Sequence, residues 1–263
     1  MTSSARVSTS NVSTSHGVTS GQKGLIEVVA LHPLDAEQAQ EGGAHRLLVC
    51  AWHEGQPWSV EPTTASAIVR AVDLPVRVSL RLSGGFTTQG GEFSRLVGLA
   101  SDYLSMGVSG FSFGFLTPDL DVDGEVCTAL AEAIGDTPWT FDRAFDQALD
   151  SRRAWRQVRR LDGVDGLHTA GAALGMEAGF DELLATATAD PDFAAAAIAA
   201  GGLRAEHVPW LVRAGVARLH LGACVRPGRS WDKAHVEAGF VRSWRRLLDD
   251  ALSGPARSSG AAS

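Results

Sequence analysis

The chain has 263 residues, 44% of them hydrophobic and 20% charged, with 23 basic side chains against 30 acidic ones. That apolar fraction excludes a disordered chain, and no apolar run approaches the roughly 18 residues that span a membrane. A net charge of −7 with a pI near 5.6 argues against a nucleic-acid partner. Only Lys23 and Lys233 are lysines, so any lysine nucleophile has two candidates. Cys50, Cys127 and Cys224 are too few and too scattered for a disulfide framework or a Cys-x-x-Cys zinc site, which suggests a reduced, cytoplasmic protein.

Residues 1–24 form a Ser/Thr/Gly/Val tract without the apolar stretch of about 7–15 residues that a secretory signal needs, and are expected to be a disordered leader. Residues 251–263, small and polar, are expected to be a disordered tail, which leaves one domain over 25–250. Eight β-rich runs follow one another there: LIEVVA (25–30), HRLLVC (45–50), PVRVSL (75–80), SGFSFGF (109–115), PWTFDR (138–143), VDGLH (164–168), AAAIAA (195–200) and ARLHL (217–221). Helical stretches lie between them, several ending on a capping glycine: Gly43, Gly107, Gly135, Gly163 and Gly215. Eightfold alternation over about 200 residues predicts a single (β/α)8 TIM barrel. A doubly wound sheet would show a G-x-G-x-x-G turn after its first strand, and the turn here is ALHPLD.

Barrel enzymes place their chemistry at the C-terminal strand ends, and alternation along each strand separates lumen from helix-facing surface. Val76, Val78, Leu80, Phe111, Phe113, Phe115, Trp139 and Phe141 should face helices. Arg77, Ser79, Arg81, Ser112, Gly114 and Asp142 should turn inward, with Arg143 on the rim. The same parity gathers Glu27, Cys50, His168 and His220 at the mouth. Glu27 and Arg81 would make a buried ion pair or act catalytically. Asp146, in FDRAFD, would brace the following helix while Arg143 clamps an anion. Gly201 and Gly202 would form either a phosphate-binding loop or a tight turn. Lys23 and Lys233 lie off the strand ends, which excludes the usual Schiff-base aldolase chemistry.

At these residues the sequence resembles the CutC copper homeostasis family. The resemblance covers about 25–225 and rests on AQEGGAHRLLVCA, RLSGGF, GFLTPDLDVD, FDRAFD, HTAG, AAGGLRAEHV and LHLGA. It implies a cytosolic TIM barrel linked to copper, often a homo-oligomer. Glu27, Cys50, Arg81, Arg143, Asp146, Thr169, Gly201, Gly202 and His220 match the family pattern. Val29 stands where the family has Cys, Leu48 for Glu, Trp52 for Asn, Ser83 for Arg and Asp142 for His.

Three readings follow. In the first, Cys50 and His220 bind copper, with His168, Cys224 or His53 as neighbouring donors. In the second, an enzyme acts on a small anionic or phosphorylated metabolite. Arg81, Arg143, Gly201 and Gly202 then hold the anion, and Glu27 or Asp142 moves the proton. In the third, a scaffold has lost its ancestral activity. Trp52 and Trp58 would then cover the mouth or form an oligomer contact.

Overall fold

The computed structural model describes residues 24–53 and 55–254. The chain runs β1 (Leu25–Ala30), α1 (Pro33–Glu41), β2 (Arg46–Val49), β3 (Ala51–His53), β4 (Gln56–Trp58), α2 (Pro62–Ala71), β5 (Val76–Ser79), α3 (Gly90–Ser105), β6 (Gly110–Phe113) and α4 (Gly124–Ile134). It continues with β7 (Trp139–Phe141), α5 (Ser151–Val158), β8 (Val164–Thr169), α6 (Met176–Ala189), α7 (Pro191–Ala196), β9 (Ala197–Ala199), α8 (Val208–Arg213), β10 (Arg218–Leu221) and α9 (Ala238–Ser253). Eight strands pair in parallel around a closed barrel in the order β1-β10-β9-β8-β7-β6-β5-β2. The eight runs read from the sequence are these eight strands.

The glycines expected to end helices do so with positive φ, from 61° at Gly135 to 91° at Gly215. At the other ends, Asp123, Asp150 and Asp190 accept backbone N–H bonds as N-caps of α4, α5 and α7. The alternation also holds. Val76, Val78, Phe111, Phe113, Trp139 and Phe141 lie in the layer between strands and helices. There Phe113 and Trp139 stack at 4.0 Å.

The lumen is polar. Arg77 reaches Thr140 (2.7 Å) and Asp165, and Arg46 lies 3.8 Å from Asp165. Glycines make the room: a Cβ at Gly110 would meet Arg77, and one at Gly166 would meet Arg218. Burial and the nearby Arg46 lower the Arg218 guanidinium to about 10.

Some elements differ from expectation. Ala51–His53 and Gln56–Trp58 pair antiparallel as β3 and β4 at the mouth, two strands that the eight runs do not include. Helix α9 runs through Ser253, so the expected tail is helical over 251–253; the apolar stripe of Val241, Trp244 and Leu248 continues the core. Residues 255–263 of that tail, and the leader up to residue 23, lie outside the described residues. Among the described residues no helix is long and apolar enough to cross a membrane.

Candidate functional site

The strand register builds the centre of the site. Glu27 on β1 stands level with His220 on β10 and with Arg46 on β2. Its Oε2 accepts from Arg46 Nε at 2.5 Å, and its Oε1 meets His220 Nδ1 at 2.7 Å and His168 Nε2 at 2.6 Å across the lumen. Burial opposes the Glu27 charge, but Arg46 and the two ring N–H groups outweigh it and hold the carboxyl well below its usual range. Burial moves His168 the other way, down to about 4. His168 is therefore a neutral donor, and Arg46 supplies the countercharge. An ionised carboxylate only accepts, so the Nδ1 of His220 carries a proton and Nε2 is the ring nitrogen left for chemistry.

Above this hub opens a cavity of about 770 Å3, lined by Arg81, Asp142, Arg143, Gly201, His220 and Trp231 among others. Arg81 does not pair with Glu27. Its partner is Asp142 at 2.5 Å, and it also donates to the Gly114 and Gly85 carbonyls. Asp142 spends its other oxygen on the Ala144 N–H, capping the turn that carries Arg143. Both carboxylates named as proton carriers, Glu27 and Asp142, thus have each oxygen engaged, and the least engaged proton carrier is His220.

Arg143 is held by Asp146 at 2.8 Å and by the Ala172 and Ala173 carbonyls, with its guanidinium laid over Gly201. A Cβ at Gly201 would come within 2.7 Å of that group, and its φ is +77°, so a side chain is disfavoured twice. The N–H groups of Gly201, Gly202 and Leu203 have no acceptor among the described residues. Arg229, half-fixed by the Leu203 carbonyl, lines the same corner.

Cys50 is not part of this constellation. It is fully buried outside the cavity lining, in the field of Arg226 and Asp35, and burial pushes its thiol up to about 12. The first residue beyond a short strand need not keep the strand's parity, and here it does not. The thiol that lines the cavity is Cys224, pushed up to about 11. His53 is exposed and packs edge-on against Trp58. Trp52 stacks on Trp231 at 3.9 Å, roofing one side of the mouth. Sequence reasoning had no place for Arg46, Arg229 or Trp231; only strand parity could have pointed Arg46 inward.

A model of the CutC family matches residues 25–225. The chain belongs to the CutC family. It is 30% identical over 205 residues to a CutC family protein of Klebsiella pneumoniae strain 342, covering 76% of this chain and 80% of that one. A human protein named copper homeostasis protein cutC homolog is 30% identical over 151 residues, 56% of this chain and 54% of the human one. The crystal structure of a CutC protein from Streptococcus agalactiae superposes with a TM-score of 0.66 at 18% identity, covering 76% of this chain and 98% of that one. The CutC match stops short of Arg226, Arg229 and Trp231, so the Trp231 side of this roof lies past the matched span while Trp52 lies within it.

Copper is the ion that the relatives' names suggest, and the donor set tests it. Among the described residues the donors that converge, within 4.8 Å of one another, are Glu27, His168 and His220. Cu(I) selects thiolate and thioether donors, and neither Cys50 nor Cys224 belongs to this group. The site does not fit a resident Cu(I) ion.

Proposed function

We propose that this CutC-family protein is a cytoplasmic enzyme that performs proton transfer on a small anionic, phosphorylated metabolite. The observation that carries the reading is the 2.7 Å contact between Glu27 and His220 at the floor of the cavity. A buried carboxylate on one ring nitrogen fixes the tautomer and stabilises the imidazolium formed when the other nitrogen takes a proton. The excess of positive charge in the cavity lining suits an anion: Arg81, Arg143, Arg204 and Arg229 stand there against Asp142 and Glu177. The phosphate would sit on Arg143, Arg229 and the free N–H groups of the Gly201–Leu203 loop, the corner that barrel enzymes commonly use. In this scheme Arg81 and Asp142 are positioning residues that hold the Arg143 turn.

A thermal-shift screen of phosphosugars and organic acids, followed by turnover assays on the hits, tests the reading. Arg143→Gln should lose the stabilisation, while His220→Gln should keep it and lose turnover. Hits that stabilise both variants as well as the wild type would overturn it.

A second reading, copper binding, rests on the names of the relatives and on the convergence of Glu27, His168 and His220. Imidazole and carboxylate suit Cu(II) better than Cu(I), and an ion there would displace the contacts that Glu27 now makes. Metal analysis of untagged protein decides it. One equivalent of copper, lost in His220→Gln and kept in Cys50→Ala, would establish this reading in place of the first.

A further inference from the structure

The helical ring around the barrel is not equally tight. Helix α1 packs on α2, α2 on α3, α3 on α4, α6 on α7, α8 on α9 and α9 back on α1, whereas α4 and α5, α5 and α6, and α7 and α8 make no comparable contact. Between α5 and α6 the gap is lined by small residues of α6, Ala185, Thr186 and Ala189. What remains is a cleft of about 610 Å3 that shares no lining residue with the mouth. Its floor is apolar: Phe145, Trp155, Leu183 and Phe193 are each buried, and Trp155 meets Phe193 edge-on at 5.4 Å. Asp190 fixes the indole by accepting from its Nε1 at 2.8 Å, so the floor is built and not fluid.

The rim is basic. In SRRAWRQVRR, five arginines fall within ten residues of a chain whose net charge is −7. Arg152, Arg156 and Arg159 recur at spacings of four and three, which places them along one edge of α5 above the cleft. Arg159 reaches Asp192 at 3.4 Å, and Arg153, off this edge, reaches Asp121. Arg152 and Arg156 have no carboxylate partner among the described residues. Of the two acidic groups at the cleft, Asp190 is occupied by Trp155 and the N-cap of α7, and Glu182 contacts Thr186.

We propose that the α5–α6 cleft is a second binding site, for a free amphipathic carboxylate. The head group sits between Arg152 and Arg156, and an apolar chain lies over Trp155, Leu183 and Phe193. An apolar floor alone would take any greasy molecule, and arginines alone any anion; one cleft carrying both selects for the combination. The inner end of the cleft reaches Thr169, whose Oγ1 donates to Asp146 at 2.7 Å. Asp146 in turn holds Arg143, so the site borders the mouth without opening into it.

Calorimetric titration of the full chain with sodium decanoate tests the proposal, with octanol, inorganic phosphate and anionic phospholipid vesicles as separate arms. Decanoate should bind the wild type at least tenfold more tightly than octanol or phosphate. Arg152→Gln with Arg156→Gln should weaken it tenfold or more. Ala185→Trp, at an exposed position that fills the cleft, should abolish it while the thermal midpoint of the free protein stays unchanged. Equal decanoate binding in all three proteins, no decanoate binding, or binding to vesicles alone would each overturn the proposal.

Discussion

A single carboxylate, Glu27, answers to three partners, and its surroundings fix how the stability depends on pH. Glu27 and Arg46 are both out of solvent, and removing one member of such a pair leaves an uncompensated buried charge. Glu27→Gln should cost about 3–5 kcal/mol in urea unfolding. His168→Gln, which can still donate to Glu27, should cost far less. His168 cannot be read from Glu27 alone. His168 titrates at about 4 in the folded state against 6.5 ordinarily, so between those values the unfolded chain holds the extra proton. Stability therefore rises with pH across that window and is lost as pH falls through it, by about 3 kcal/mol in all. Glu27 acts in the same direction, but only below its ordinary 4.5. Unfolding curves between pH 5.0 and 7.5 thus leave Glu27 out but still contain His45 and His207, which burial also lowers, so the share of His168 is the difference between wild type and variant: His168→Gln should flatten the pH dependence by up to about 1.4 kcal/mol per pH unit. An unchanged slope would show that His168 does not carry it.

Strands and loops were not equally legible. Alternation is a local property of a strand, so the inward Arg77, Arg81, Ser112 and Asp142 and the outward Phe111, Phe113 and Trp139 were readable from the sequence. Partnership is not local. That Glu27 takes Arg46 and Arg81 takes Asp142, instead of pairing with each other, depends on the register between strands, which sets which inward side chains stand level. Cys50 was misplaced because it stands one residue past β2, where pairing gives way to the β3–β4 hairpin. The hairpin itself was hidden, because Ala51–His53 and Gln56–Trp58 are too short for alternation to register. The loop after β9 was half legible: its two glycines were visible, but the reason for Gly201 is a guanidinium from another strand end. Gly201→Ala tests that account. A non-glycine residue at φ +77° costs about 1–2 kcal/mol, and the new methyl group displaces Arg143. The variant should stay folded, lose about that much stability, and lose the anion stabilisation that Arg143→Gln loses. Retained anion binding would mean that Arg143 does not depend on Gly201 for its place.

At the scale of the whole molecule, a barrel must close its first strand on its last, and the backbone pairing of β1 with β10 is reinforced from outside the lumen. Asp35, in the first turn of α1, accepts two bonds from Arg226, one at 2.8 Å and one at 3.2 Å, and a third from the Val236 N–H at 2.9 Å. Both ion-pair side chains are only 1% exposed. Arg226 also donates to the Val29 carbonyl and to that of Ala234, and Trp231 lies over its guanidinium at 5.2 Å. One carboxylate thus joins the start of the barrel to the segment that leads into α9 and roofs the mouth. Asp35→Asn leaves Arg226 buried without its countercharge, which should cost about 3–5 kcal/mol. At roughly 2–4 °C per kcal/mol for a domain of this size, the thermal midpoint should fall by roughly 6–20 °C. Hydrogen exchange adds the spatial test. Amides of 226–237 and of β1 should lose protection together, because one contact holds both, while β6 and β7 on the far side keep theirs until global unfolding. Loss of protection confined to 226–237 would show that the backbone pairing of β1 and β10 closes the barrel without help from Asp35.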